Sequence, residues 1–373
     1  MNLTYNHPVK IIFGSHKLND LYNILKDGGL SNGMLVCDPY FINTGLANKV
    51  MHYSKGLLTD IFFDIKPNPT ITSVDKCADV IRNKDIKFLA AIGGGSALDC
   101  AKAAASVCKT SFSIVHFHSG NHSFIDSHIP VIAIPTTAGT GSEVSNEAVL
   151  TDPIRGMKSP IVCDNFYPTI AIVDPVLTLS LPKKATAATG FDALSHALEA
   201  FWSRYHKPAG DELATQAAKL IFENLYRVYE DGSDLVAREK MSEASVLAGL
   251  AVNLSSTTAS HACSYPLTYL YNIRHGEACA FTLDSILKIN SEAEDGRLHQ
   301  LAVQIGFKDA YDMADKIVKM KASMEMKSTL KEAGIDTSEI DNLSILSMQP
   351  DMINNPIVIS IEKLIEMYHA LNK

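Results

Sequence analysis

The chain has 373 residues, 46% of them hydrophobic and 20% charged, with a formal net charge of −8. That length predicts two domains of ordinary globular composition, and an acidic balance without any basic block argues against a nucleic-acid partner. No apolar run is long enough to span a bilayer, residues 1–8 lack the layout of an export signal, and seven scattered cysteines without a C-x-x-C pair predict reduced thiols in a cytoplasm.

Strand-like runs at residues 9–13, 34–37, 88–92, 131–134 and 170–173 alternate with helical patterns, among them 73–83 and 97–108. Several runs are apolar on both faces, as strands covered by helices on each side are. The first half therefore reads as an open, mainly parallel α/β sheet. Asp38 ends the second run. A carboxylate there can bind an adenosine ribose and repel a 2′-phosphate, which favours NAD(H) over NADP(H). It can equally open an ordinary Asp38-Pro39 turn. Gly93-Gly94-Gly95-Ser96 follows the third run and opens a helix at Ala97. Missing Cβ atoms and free N–H groups at a helix start suit a pyrophosphate; a tight turn without a ligand is the alternative. His116, His118 and His122 crowd one segment. A second metal site is one reading, and a polar loop reaching the cleft, with room for a part in recognising an anionic substrate, is the favoured one. Thr136, Thr137, Thr140 and Ser142 follow the fourth run and offer donors to phosphate, ribose or nicotinamide, or form a ligand-free turn. Residues 148–163 read as an added hairpin turning at 152–156, with Lys158 either beside a cofactor or solvated.

After residue 182 the character changes. We expect a dinucleotide-binding α/β domain over 1–182 and a helical, metal-binding domain over 183–373, with helices at 214–229, 237–254, 310–333 and, after a polar break at 350–356, 359–371. Asp192 and His196 are spaced i, i+4 on one helix, so both project from one face. His261 and His275 follow downstream. One carboxylate and three imidazoles make a plausible shell for Fe²⁺, Zn²⁺, Co²⁺ or Mn²⁺. Each residue alone has a plain reading as a core or loop residue, and Cys263 reads as a small buried side chain.

These pieces together resemble the iron-dependent (group III) alcohol dehydrogenase family. The matches are Lys66-Pro67-Asn68-Pro69-Thr70, Ile92-Gly93-Gly94-Gly95-Ser96, Pro135-Thr136-Thr137-Ala138-Gly139-Thr140, Thr189-Gly190-Phe191-Asp192-Ala193-Leu194-Ser195-His196 and the segment 261–275, in that order over nearly the whole chain. The resemblance implies a dehydroquinate-synthase-like fold, an α/β N-terminal domain followed by an all-α domain, with the active site in the cleft between them. It implies Asp192, His196, His261 and His275 as ligands of Fe²⁺ or Zn²⁺. It implies contacts to NAD(H) from Asp38, Asn68, Gly94, Gly95, Ser96, Thr136, Thr137, Thr140, Ser142, Val144, Lys158, Thr178 and Leu179. It also implies hydride transfer between a small alcohol and its aldehyde, in a homodimer or larger assembly.

Two departures from the family pattern stand out. Tyr265 occupies the place of a frequent histidine, and Arg274 that of a usual proline. The run Ser264-Tyr265-Pro266-Leu267-Thr268 resembles the phosphonoacetaldehyde reductase (2-hydroxyethylphosphonate dehydrogenase) branch. On that reading Tyr265 orients the substrate or passes a proton, and Arg274 attracts the anionic group. Packing and a surface position are their plain alternatives. A polyol dehydrogenase of glycerol or propanediol type is the alternative function. A dehydroquinate-synthase-like lyase needs extra basic residues, and an inert nucleotide-binding protein has no need of four donors.

Overall fold

The structure is a computed structural model that describes residues 6–293 and 295–372. Residues 1–5, part of the segment read as lacking an export signal, lie outside it. The chain divides into two compact units: Met1–Thr137 with Ser142–Thr178, and Ala138–Gly141 with Leu179–Lys373.

Among its described residues the first unit carries eight strands and six α-helices. The strands are β1 (Lys10–Phe13), β2 (Gly33–Cys37), β3 (Leu58–Phe62), β4 (Phe88–Gly93), β5 (Val131–Pro135), β6 (Glu147–Asp152), β7 (Met157–Val162) and β8 (Ile170–Val173). The helices are α1 (Leu21–Asp27), α2 (Pro39–Asn43), α3 (Leu46–Tyr53), α4 (Ile71–Asn83), α5 (Gly95–Val107) and α6 (Ile114–His118). Six strands form one parallel sheet in the order β1-β8-β5-β4-β2-β3, and β6 pairs antiparallel with β7 as the added hairpin. Alternation along each strand separates two cores. Met34, Val36, Leu89, Ala91, Val131 and Ala133 pack in one, and Leu35, Cys37, Phe88, Ala90, Ile92 and Ile132 in the other. Both faces are therefore buried, as the apolar runs predict. The sequence expectation omitted β3. It lies at the sheet edge, where Thr59 and Asp60 interrupt the apolar signal.

From β2 the chain runs outward to β3, and from β4 it runs the other way to β5. The order thus reverses between β2 and β4, which makes the carboxyl ends of those strands a ligand crevice. Cys37 pairs with Ile92 and Gly93 with Pro135, so Asp38, Gly94 and Thr136 leave the sheet side by side.

Glu143, in a short 3-10 turn (Ser142–Val144), is 2% exposed. Burial pushes its carboxyl up to about 7, against the pull of its own backbone N–H and the Lys102 charge. The unfolded chain ionises this group first. The contribution of Glu143 to stability therefore declines from about pH 4.5 to about pH 7, by roughly 3 kcal/mol, and is constant beyond. The difference in urea-unfolding midpoint between Glu143→Gln and the parent should change over this pH range by that amount; a difference that does not vary with pH contradicts the assignment.

The second unit is helical, with no strand among its described residues. It comprises α7 (Lys183–Trp202), α8 (Pro208–Glu230), α9 (Leu235–Ser255), α10 (Ala259–Tyr271), α11 (His275–Asn290), α12 (Arg297–Gln304), α13 (Ala310–Ser323), α14 (Leu330–Ala333), α15 (Ile340–Leu346) and α16 (Ile361–Ala370). One core cluster runs from Phe191 on α7 to Tyr368 on α16. The single helix expected over 310–333 is two. Glu325 takes a left-handed φ of 55°, and Thr329 with Glu332 forms a capping box that starts α14 afresh. No helix among the described residues is long and apolar enough to cross a membrane.

Candidate active site

Three elements of the helical unit bring the donors together. α7 carries Asp192 and His196, α10 carries His261, and α11 opens on His275. Asp192 Oδ1 lies 3.8 Å from His261 Nε2 and 3.8 Å from His275 Nε2. Donors held at about 2.1 Å around one tetrahedral cation stand roughly 3.4 Å apart, so these separations fit a shared ion with little adjustment. Asp192 Oδ1 and His261 Nε2 are buried and have no hydrogen-bond partner among the described residues. A buried carboxylate oxygen left without a partner is costly, and a divalent cation removes the cost. The residues thus fit the metal that the sequence implies. His196 stands outside the tight group. Its ring lies over that of His261, centroids 4.5 Å apart. Burial and the neighbouring His261 charge push its pKa below the ordinary value, which keeps the imidazole in its ligating, neutral form.

The sequence reading missed Glu199, one turn after His196 on α7. Its side chain is fully buried. Oε1 accepts hydrogen bonds from the backbone N–H of Thr258, Ser260 and His261 and from the Thr258 hydroxyl, and Oε2 pairs with His261 Nδ1. Burial opposes its ionisation, but the His261 ring and these donors outweigh that and hold the carboxyl below its ordinary range. A carboxylate on Nδ1 fixes the tautomer that leaves Nε2 free to face a cation. The chain enters this cluster through Ser256, held at a φ of 102° where few residues other than glycine rest.

Gly276 sets the approach of α11 to α7. A Cβ there would lie 1.9 Å from the Ala188 carbonyl oxygen and 2.9 Å from Asp192 Cβ. Tyr265 is buried, its ring parallel to that of His275 within 9°. Its hydroxyl donates to Asp351 Oδ2 at 3.1 Å, and Thr257 donates to the same oxygen at 2.9 Å. Burial raises the pKa of the Asp351 carboxyl. Asp351 comes from the segment read as a polar break, with no local signal of this role. Arg274 is exposed at the N-cap of α11. Cys263 is fully buried in the helical core, as expected; Cys279, which drew no comment from the sequence, is the thiol beside the donors.

In the α/β unit the glycine-rich turn sits at the crevice between β2 and β4. Gly93 has a φ of 153°, and Gly94 passes so close to Thr137 that an added Cβ would lie 3.3 Å from its methyl group. Gly95 and Ser96 begin α5, with Gly94 as its N-cap, which aims the helix dipole at the crevice. Asn68, at a φ of 57°, donates its backbone N–H to the Ser96 hydroxyl at 3.2 Å. Thr136 N donates to Gly93 O at 2.9 Å. Asp38 caps α2, accepting from Tyr40 N at 2.7 Å, so the turn reading of that residue is realised in addition to its position on the crevice. Ser142 is tied to Asp99 and the buried Lys102. The Val144 carbonyl meets His7 at 2.9 Å, Thr178 bonds Pro175 O at 2.7 Å, and Lys158 is largely buried on β7. Thr140 and Leu179 are half-buried and fall in the helical unit. Of the three clustered histidines, His118 is paired with Ser159 at 2.8 Å, while the His116 and His122 rings lie 5.2 Å apart beside Phe112. They form no donor group among the described residues.

Known proteins resemble the chain along nearly its whole length. A model of iron-containing alcohol dehydrogenases matches residues 8–175, and one of the C-terminal part of that family matches residues 186–372. The NAD-dependent methanol dehydrogenase of Bacillus methanolicus is 35% identical, over 80% of this chain and 79% of that protein. The 1,3-propanediol dehydrogenase of Klebsiella pneumoniae is 32% identical, over 84% of each. The crystal structure of sulfoacetaldehyde reductase from Bifidobacterium kashiwanohense in complex with NAD⁺ superposes with a TM-score of 0.96 at 46% identity, over 100% of this chain and 99% of that one. A donor set for one cation on a helical unit, a glycine-rich crevice on a parallel sheet, and matches along both halves lead to one conclusion: the chain belongs to the iron-containing alcohol dehydrogenase family.

Proposed function

We propose that this protein reduces a small aldehyde bearing a sulfonate or phosphonate, with NADH as the reductant, and runs the reverse oxidation of the alcohol. The observation that carries the reading is the convergence of Asp192, His261 and His275 on one point, with unpartnered buried atoms facing it. The likeness to a sulfoacetaldehyde reductase supports an anionic substrate, and so does Arg274, whose guanidinium directly precedes a metal-ligand candidate.

When bound, the nicotinamide supplies the hydride, and a divalent cation supplies Lewis-acid polarisation of the carbonyl. The chain's own residues do the rest. Asp192, His196, His261 and His275 hold the cation, and Glu199 locks His261 in the ligating tautomer. Gly94, Gly95 and Ser96 receive the pyrophosphate. Asp38 binds the ribose and disfavours a 2′-phosphate, which selects NAD(H). Asn68, Thr136, Thr137, Thr140, Ser142, Val144, Lys158, Thr178 and Leu179 complete the dinucleotide contacts. Tyr265 holds a proton at its hydroxyl against Asp351, in the place of the histidine frequent in the family. Seven free cysteines suit a cytoplasmic enzyme, and we expect it to assemble as a homodimer.

The test is an aldehyde panel with metal-loaded protein and both reduced cofactors. Sulfoacetaldehyde or phosphonoacetaldehyde should exceed an uncharged aldehyde of similar size by about tenfold or more in kcat/KM, a difference of about 1.4 kcal/mol. Equal rates would remove the anionic substrate. A preference for 1,3-propanediol oxidation would replace it with the polyol reading, which the Klebsiella pneumoniae relative supports. In the same assay His261→Ala should lose bound metal and turnover while keeping its helical circular dichroism.

A further inference from the structure

Cys279 lies one helical turn beyond His275 on α11, so both side chains project from one face. It is fully buried. Its Sγ is 3.9 Å from His275 Nε2 and belongs, with Asp192, His261 and His275, to a group of donor atoms all within 4.8 Å of one another. A structural cysteine usually fills an apolar gap. This one faces a carboxylate and two imidazoles, and two atoms of that set, Asp192 Oδ1 and His261 Nε2, are buried without a hydrogen-bond partner among the described residues. The spacing His275-x-x-x-Cys279 also repeats the Asp192-x-x-x-His196 spacing on α7, so each of the two helices carries two donor-type residues on one face, of which Asp192, His275 and Cys279 fall within the tight group.

We propose that Cys279 Sγ is itself a metal donor, so that the cation takes a sulfur ligand in addition to the carboxylate of Asp192 and the imidazoles of His196, His261 and His275. The proposal rests on the metal-site reading above. Coordination needs no oxidant: the thiol releases its proton to solvent as the sulfur–metal bond forms, and the bound thiolate is the only new charge. The consequence is a mixed hard and soft site. Carboxylate and imidazole alone accept several divalent ions, whereas an added thiolate tilts the preference toward Zn²⁺ and Co²⁺ over harder ions. A second anionic ligand also lowers the net charge of the centre, which moderates its Lewis acidity.

Cobalt spectroscopy on the full chain separates the two readings. The protein is stripped with a chelator and titrated with Co²⁺ alone. We expect visible ligand-field bands that saturate at one equivalent, together with a near-ultraviolet sulfur-to-cobalt charge-transfer band that rises in step. Cys279→Ser and Cys279→Ala should keep the visible bands and lose the charge-transfer band, with circular dichroism to verify their fold. Zn²⁺ affinity, read by competition with a chromogenic chelator, should fall about tenfold or more. Visible bands without charge transfer in the unmodified protein, or charge transfer that survives both substitutions, overturn the sulfur ligand and leave the metal site standing. No cobalt binding at all removes both.

Discussion

Glu199→Ala is expected to unfold at markedly lower urea and to hold metal far more weakly. Four hydrogen-bond donors converge on one buried oxygen of this residue, and His261 Nδ1 is paired with the other. Removing the carboxylate strands all five in a site that water reaches poorly. Breaking one partner of a buried charged pair costs about 3–5 kcal/mol, and the backbone N–H groups at the start of α10 lose the side-chain acceptor that caps them. Metal affinity should fall in parallel by roughly 10–100-fold, because the His261 ring is no longer held to its tautomer. Glu199→Gln keeps the shape and one acceptor oxygen, so it should recover part of the stability and less of the affinity. Urea denaturation of the metal-free proteins, followed by metal titration, measures the two effects separately. A metal-free Glu199→Ala protein as stable as the parent would show that the cluster contributes nothing to folding.

Gly276→Ala is expected to be the more damaging of two glycine substitutions that look alike on paper. An added Cβ at Gly190 would meet Leu225 Cδ1 at 2.2 Å, and at Gly276 it would meet the Ala188 carbonyl oxygen at 1.9 Å. The first obstacle is the far end of a flexible side chain, which can rotate away. The second is helix backbone, and it is flanked by Asp192 Cβ at 2.9 Å. Overpacking a well-filled core costs about 1–3 kcal/mol, and a rigid neighbour puts Gly276→Ala at or beyond the top of that range. Because α11 must back away from α7, His275 should also part from Asp192, and metal binding should be lost even in conditions where the protein stays folded. Gly190→Ala should keep its metal. Equal metal content in the two variants would refute the argument.

Much of the site was legible because its signals are local. Asp192 and His196 share a helix face by simple spacing, and the triple glycine follows a buried strand and opens a helix. The dual burial of the sheet followed from apolar runs without alternation. What escaped needed either long-range contact or a closer look at one residue. Asp351 reaches Tyr265 across 86 positions of sequence, and nothing near Pro350 hints at it. Glu199 did leave a trace. A carboxylate within Ala197-Leu198-Glu199-Ala200-Phe201-Trp202 has no solvated face to use, so it demands a buried partner. Edge strand β3 and the break between α13 and α14 failed for the opposite reason. Polar residues diluted the first pattern, and in the second an uninterrupted helical pattern masked the capping box.

The burial of α7 has a further consequence. From Gly190 to Trp202 every residue of this helix is buried, so Asp192, His196 and Glu199 are clamped on all sides before any ion arrives. Side chains already confined to one rotamer surrender little entropy on capture. The ion's binding energy is therefore not consumed in ordering its own cage, and selectivity among ions of similar charge is left to the shape and chemistry of a rigid cavity.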